Sequence, residues 1–241
     1  MGLFKRRPPT EALAPTPPLP LNAADGSAWL SFPGEVVRSY RHMLARQQRA
    51  APLPPRLALV STLREEGVTY SALALAAALA ADTAVSVCVV ELNWWWPGLL
   101  RHLPGAASPG LAAVLAEEAS LDAALLPTDR PNLALLPAGE LDPALRPSAA
   151  RGSQLKLYIE ELGRRFDHLL LDVPAVLATS DAIPLASLSS NSCLVVKQGV
   201  TAIENTKRAL DDLAHLQVLG VILNQVVVKT PRLLLRYIPQ E

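Results

Sequence analysis

The sequence predicts an α/β fold in three layers, with helices on both faces of a mostly parallel sheet. Three features carry that expectation. Short continuous apolar runs recur along the chain, separated by segments of helical spacing, and strands apolar on both faces belong to buried parallel sheets. Half of the residues are hydrophobic but only 5% are aromatic, so Ala, Leu and Val supply the core. A length of 241 residues is enough for one large domain with a well-buried interior.

The elements follow in order. "PPTEALAPTPPLP" (8–20) is too proline-rich to fold and reads as an extended tail, placing a disordered stretch over 1–31. A helix is expected at 33–50, where Val36, Tyr40, Met43 and Leu44 form an apolar stripe. Glu35, Arg38 and Arg41 share another of its faces. "PLPP" ends it. "RLALVS" (56–61) is a strand and 69–82 a helix. A strand at 85–92, a short helix at 111–118, a strand at 132–139 and a helix at 153–166 come next. A strand at 168–174, a short helix at 181–188, a strand at 192–198, a helix at 201–216 and a last strand at 218–226 complete the domain, 32–230. Residues 231–241 read as a C-terminal tail. Ligands of such sheets bind beyond the C-terminal strand ends, where 61–69, 91–97, 172–175, 198–201 and 224 fall.

Composition excludes several functions. Acidic and basic residues balance at 22 each, which gives no electrostatic argument for nucleic acid. Cys88 and Cys193 lie inside apolar β-rich runs and read as buried free thiols of a reducing compartment. His42, His102, His168 and His215 form no cluster of metal-ligand spacing with them. The apolar stretch at 72–81 is well short of the ~20 residues of a membrane span. "MGLFKRR" runs into prolines rather than an apolar core, so no signal peptide is expected; Lys5, Arg6 and Arg7 read as a solvated tail.

The chemistry concentrates at 61–70. A strand, a short loop with a glycine and a small-residue helix form a phosphate-binding layout, in which loop amides and a helix N-terminus face an anion. Against G-x-x-x-x-G-K-[ST], the loop reads Thr62-x-x-x-x-Gly67-Val68-Thr69. Gly67 allows close backbone approach, and the Thr69 hydroxyl stands where Mg²⁺ is ligated. Val68 stands where lysine should be. Losing a preorganised cation of that sort costs roughly 10²–10³ in rate.

The ordered series "VSTLREEGVTYSALALAAALA", "VSVCVVELNWWWPGLLRHL", "LPAGELDP", "FDHLLLDVPAVLATSDAIPLAS", "CLVVKQGVT" and "LGVILNQV" resembles the bacterial tyrosine kinase family of capsule and exopolysaccharide synthesis, within the MinD/ParA class of P-loop proteins. The resemblance covers roughly 33–226. It implies a P-loop NTPase-like domain that takes ATP or ADP with Mg²⁺. Arg64, Glu65, Glu66, Gly67, Val68, Thr69 and Tyr70 would hold the phosphates, and Asn224 would meet the adenine. Thr69, Glu91 and Asp172 would stand near the metal. Glu35, Arg38 and Arg41 match an E-x-x-R-x-x-R element that makes subunit contacts, implying an oligomer. The implied partner is a membrane polysaccharide co-polymerase, with the protein cytoplasmic and held at the inner membrane through it.

The departures point one way. Besides the lysine, the second acidic motif reads Glu91-Leu92-Asn93, and of the family's tyrosine-rich tail the sequence carries Tyr237. The chain therefore reads as a degenerate kinase that acts by binding. A working ATPase would need Arg64 or a neighbouring subunit's basic residue at the phosphates. A MinD/ParA-like positioning protein fits poorly, because "PRLLLRYIPQE" is short and has a proline near each end. Trp94, Trp95 and Trp96 cannot all enter one core from a strand-like segment, so at least one faces outward as a candidate partner anchor, with Arg101 or another basic residue against a ring. Glu140 and Asp142 read as a solvated turn, Ser61 and Ser192 as structural hydroxyls, and His168 as a satisfied structural histidine.

Overall fold

The computed structural model describes residues 15–226, so the calls on Lys5, Arg6, Arg7, residues 8–14, Tyr237 and the tail 231–241 lie outside the described residues. A seven-stranded sheet forms the middle layer. Its strands are β3 (Arg56–Ser61), β4 (Val87–Glu91), β5 (Leu126–Pro127), β6 (Leu133–Leu136), β7 (His168–Asp172), β8 (Asn191–Lys197) and β9 (Gln217–Asn224), in the order β5-β6-β4-β7-β3-β8-β9. All neighbours pair in parallel except the short edge strand β5, which runs antiparallel to β6. The expected three-layer, mostly parallel architecture is therefore present.

The helices are α1 (Gly34–Ala50), α2 (Val68–Asp82), α3 (Gly110–Leu115), α4 (Leu121–Ala124), α5 (Arg146–Arg151), α6 (Ser153–Arg165), α7 (Ala182–Ala186) and α8 (Ile203–Asp212). The helix α2 is built of alanine and leucine, and every residue from Ser71 to Ala80 is buried. Its small side chains let it lie close to the sheet while α1 packs over it through Val37, Tyr40 and Leu44. On the other face, Leu155, Ile159 and Leu162 of α6 join a second apolar cluster with Leu169 and Leu171 of β7. Burying such side chains is worth about 1.5–3 kcal/mol each.

Three expectations need correction. Residues 19–31 are not tail. Leu19–Asn22 (β1) and Ala28–Phe32 (β2) form an antiparallel hairpin, with Leu21 and Phe32 fully buried beneath it. The hairpin reaches the sheet edge through an Ala23–Thr128 bridge and a 2.9 Å bond from the Asn22 amide to Asp129. Proline is tolerated there because a two-stranded ribbon leaves alternate N–H groups without a partner strand. The tryptophans do not continue strand β4. They lie on a turn closed by Asn93, which accepts from the Trp96 amide at 3.1 Å and donates to the Trp96 carbonyl at 3.0 Å. Finally, Arg41 turns inward along the protein's own surface, forming a two-pronged ion pair with Asp82 at the end of α2, at 2.6 and 2.7 Å.

Candidate nucleotide site

A cavity of about 1100 Å³ opens at the C-terminal ends of β3, β7 and β9. The loop between β3 and α2 forms its floor. From that loop Arg64 to Tyr70 all line it, facing Asp172 from β7, Asn93 and Trp96 from the turn after β4, Glu35 from α1 and Asn224 from β9. The predicted position beyond the strand ends is where the cavity lies.

The loop is held from within by Glu66. Its buried carboxylate accepts the Thr62 and Leu63 amides at 2.9 and 3.0 Å through one oxygen and the Thr201 hydroxyl through the other. A carboxylate taking several donors is a strong, charge-assisted staple. Glu66, expected among the phosphate-contacting residues, thus supports the loop from behind. Asn224 reaches the same place: its side-chain amide donates to the Glu66 carbonyl at 2.8 Å. Gly67 has φ of 89°, and a Cβ there would meet the Asn224 amide nitrogen at 2.2 Å. Only glycine fits. Asn224, expected at the adenine, is therefore committed to the loop.

Beyond Gly67, α2 begins with no side-chain cap. The amides of Gly67, Val68, Thr69 and Tyr70 take no partner among the described residues. Amides without a partner at the start of this fifteen-residue helix are donors of the kind that anions take, and the helix dipole adds to that attraction. Val68, at the lysine position, is buried and packs into the apolar cluster with α2. Arg64 and Arg101 are the guanidiniums lining the cavity. Arg64 lies over the Trp96 ring, 4.2 Å from its centre, so the cation–π partner is Arg64 and not Arg101.

Two carboxylates meet behind the loop. Those of Glu91 and Asp172 sit on paired positions of β4 and β7. Glu91 is spent on backbone: one oxygen accepts the Gly98 and Leu99 amides at 2.5 and 2.8 Å, the other the Ala138 amide at 3.0 Å. Burial still pushes its pKa up against the pull of those amides. The sequence placed Glu91 near a metal; the structure gives it a backbone role. Asp172 is different. It is wholly buried, lines the cavity, and neither oxygen has a hydrogen-bond partner among the described residues. Burial first, and the Glu91 charge second, push its pKa up to about 8, and the nearby Thr69 hydroxyl offsets only part of this. An unpartnered buried carboxylate across from a helix-start hydroxyl is a donor set that suits Mg²⁺, a hard cation taking one or two carboxylates plus phosphate oxygens. Gly98 keeps that space open, since a Cβ there would come within 3.0 Å of the Thr69 hydroxyl.

The remaining expected residues fall as follows. Glu35 lines the cavity, whereas Arg38 and Arg41 do not. Trp94 is core, 2% exposed, with its indole N–H donating to the Ala138 carbonyl at 2.9 Å. Trp95 and Trp96 are half-buried. The His168 ring nitrogen Nδ1 lies 3.0 Å from the Pro54 carbonyl, and Asp142 accepts the Ala144 amide at 2.8 Å in its turn. Among the described residues, no three His, Cys, Asp or Glu side chains could jointly hold a metal, and no helix is long and apolar enough to cross a membrane. Sequence reasoning missed Thr201 as the second clasp on Glu66, because nothing in a strand-to-helix loop marks which distant hydroxyl will reach it.

No family model matches the chain. Succinoglycan biosynthesis transport protein ExoP of Rhizobium meliloti is 31% identical over 177 residues, covering 70% of this chain and 22% of that protein. Tyrosine-protein kinase ptk of Acinetobacter johnsonii is 28% identical over 120 residues, 49% of this chain and 16% of that one. Tyrosine-protein kinase YwqD of Bacillus subtilis is 30% identical over 118 residues, 48% and 49% respectively. This chain is a homologue of bacterial tyrosine kinases. It spans half or less of the length of these relatives. The fold agrees. The kinase domain of the Escherichia coli tyrosine kinase ETK superposes with a TM-score of 0.71 at 19% identity, covering 81% of this chain and 77% of that one. The VpsO kinase domain gives 0.71 at 23%, covering 80% and 94%. MinD of Pyrococcus horikoshii, solved with Mg-ADP, gives 0.54 at 23%, covering 71% and 70%. The domain thus has the P-loop fold shared by tyrosine kinase domains and MinD-like ATPases.

Proposed function

We propose that this chain is a nucleotide-binding regulator of exopolysaccharide or capsule assembly that works by binding rather than by phosphoryl transfer. One observation carries this reading. The cavity keeps its amides and its buried Asp172, while the side chain at the lysine position, Val68, is turned into the apolar core. ATP or ADP would be held by the amides of the loop and the start of α2. Thr69 and Asp172 would hold Mg²⁺, which supplies neutralising charge to the phosphates when bound. Glu66, Asn224 and Thr201 keep the loop in shape, and α2 supplies its dipole. With no lysine to follow charge developing on a transferred phosphoryl group, the arrangement supports binding far better than turnover.

The likeness to a succinoglycan biosynthesis transport protein supports a role in polysaccharide synthesis or transport. By that likeness the partner is a membrane polysaccharide co-polymerase at the cytoplasmic face. Trp95, Trp96 and the free Arg38 face are candidate contact surfaces, in a homo- or hetero-oligomer. A strain lacking the gene is expected to make polymer of altered length or yield, restored by the wild-type chain. Unchanged polymer in that strain would remove the reading. An active ATPase is the rival, and it requires either that Arg64 leave Trp96 and swing to the phosphates or that a neighbouring subunit's basic residue reach them.

A further inference from the structure

The two edges of the sheet are finished differently. β5, at one edge, is two residues long, contains Pro127 and lies beside the β1–β2 hairpin through the Ala23–Thr128 bridge. Short length, proline and cover are means by which proteins keep an edge strand from pairing with another chain. β9, at the other edge, is eight residues long, and its sequence QVLGVILN carries neither charge nor proline. Its irregularity falls near the start: Ser192 pairs with Val218 and Cys193 with Gly220, after which the register runs unbroken to Asn224. Among the described residues no strand pairs with its outer side. Of the eight large apolar side chains exposed among these residues, five lie on β9, just past it or on the turn beside its end: Val221, Leu223, Val226, Val200 and Ile203. An apolar patch gathered in this way marks an interaction surface.

The direction of the backbone fixes which residues can pair there. The Asn224 carbonyl accepts the Gln198 amide at 3.0 Å, so Asn224 faces β8. Successive residues of a strand turn their N–H and C=O groups to opposite edges. Ile222 and Gly220 therefore face β8 as well, and Val221 and Leu223 face outward. We propose that β9 pairs antiparallel with β9 of a second copy of this chain, about a two-fold axis at Ile222. That axis sets Val221 opposite Leu223 of the partner subunit, and Leu223 opposite the partner subunit's Val221. Both pairs are made of outward-facing residues, so each pair can exchange both N–H···O bonds. Val221 and Leu223 also share one side-chain face, and the pairing covers these half-exposed side chains with each other. A second copy is the occupant this edge suits. A two-fold contact brings like onto like, and an uncharged strand meets itself without repulsion.

Sedimentation of the full chain over a range of concentrations tests this. The wild type is expected to form a dimer between about 1 and 100 µM. In the dimer the Val221 and Leu223 amides should be protected from hydrogen exchange, and dilution should expose them. Val221→Lys should weaken the dimer about tenfold or more, and Leu223→Lys likewise, with circular dichroism and melting temperature showing that each variant folds. Arg38→Glu, on α1, should leave the dimer unchanged. A wild type that stays monomeric over that range overturns the proposal, whether the edge is then taken by the chain's own residues 227–241 or by a segment of another protein. Deletion of 227–241 separates those two outcomes, since only the first releases a dimer. An oligomer that survives both lysine variants but breaks with Arg38→Glu also overturns it, as does fast exchange at Val221 and Leu223 in the associated protein.

Discussion

Glu66 is the residue on which the geometry of the loop depends most. It is 2% exposed, and its carboxylate serves the Thr62 and Leu63 amides and the Thr201 hydroxyl. Glu66→Ala removes the acceptor for all three. Each buried donor left without a partner costs about 1–3 kcal/mol. Thr201 lies at a half-exposed turn and can turn to water, so the two amides dominate. The expected loss is about 3–5 kcal/mol, equivalent to a fall in melting temperature of roughly 10 °C for a domain of this size. Urea unfolding measures it directly. Glu65→Ala is the control: Glu65 is adjacent and acidic but exposed, so its removal should change stability by less than about 0.5 kcal/mol. Glu66→Gln should fall between, since it keeps the shape but exchanges one acceptor for a donor. Glu66→Ala within about 1 kcal/mol of wild type would refute the claim that the carboxylate staples the loop.

Two further outcomes follow from buried polar groups. The pKa of Asp172 is raised by burial and by Glu91, so the folded chain holds that proton more tightly than the unfolded one. Stability without added Mg²⁺ should be greatest in acid, fall as pH rises above the ordinary carboxylate range, and level off above about 8. Asp172→Asn should flatten that decline and raise the melting temperature at alkaline pH; an equally steep profile in the variant would assign the effect to other groups. Trp94→Phe should cost about 1–3 kcal/mol, because it leaves the buried Ala138 carbonyl without the indole N–H. Trp96→Ala, at a half-buried site, should cost less in the same unfolding assay.

Much of the fold was legible because local pattern and tertiary role agreed. Six residues bounded by "PLPP" and a glycine loop mark β3, and the alanine-rich run after Thr69 can only be a helix with little room around it. The β1–β2 hairpin was not legible. Its prolines resemble those of a tail, and only the burial of Leu21 and Phe32 against α2 reveals it as structure. At the site, the loop and Thr69 follow from motif spacing, and Asp172 follows from the resemblance to the tyrosine kinase family. The direction of each carboxylate follows from neither. Whether Glu66 and Glu91 face a ligand or the protein's own donors depends on what lies behind them: the turn at 98–99 folds back on Glu91, while Ala138 and the Thr201 hydroxyl arrive from far along the chain. Asn93 lost the charge its position suggests and became the clamp of the tryptophan turn, a role readable only once the turn was seen.

Phosphate release by the purified chain in Mg-ATP, with phosphotyrosine followed in the same samples, puts the central claim at most direct risk. A cavity that keeps its amides but has an aliphatic side chain in the lysine's place should give neither signal above a no-protein blank. Sustained release that disappears in Thr69→Ala, or phosphotyrosine forming on the chain without another kinase, would show that the chemistry survived the loss.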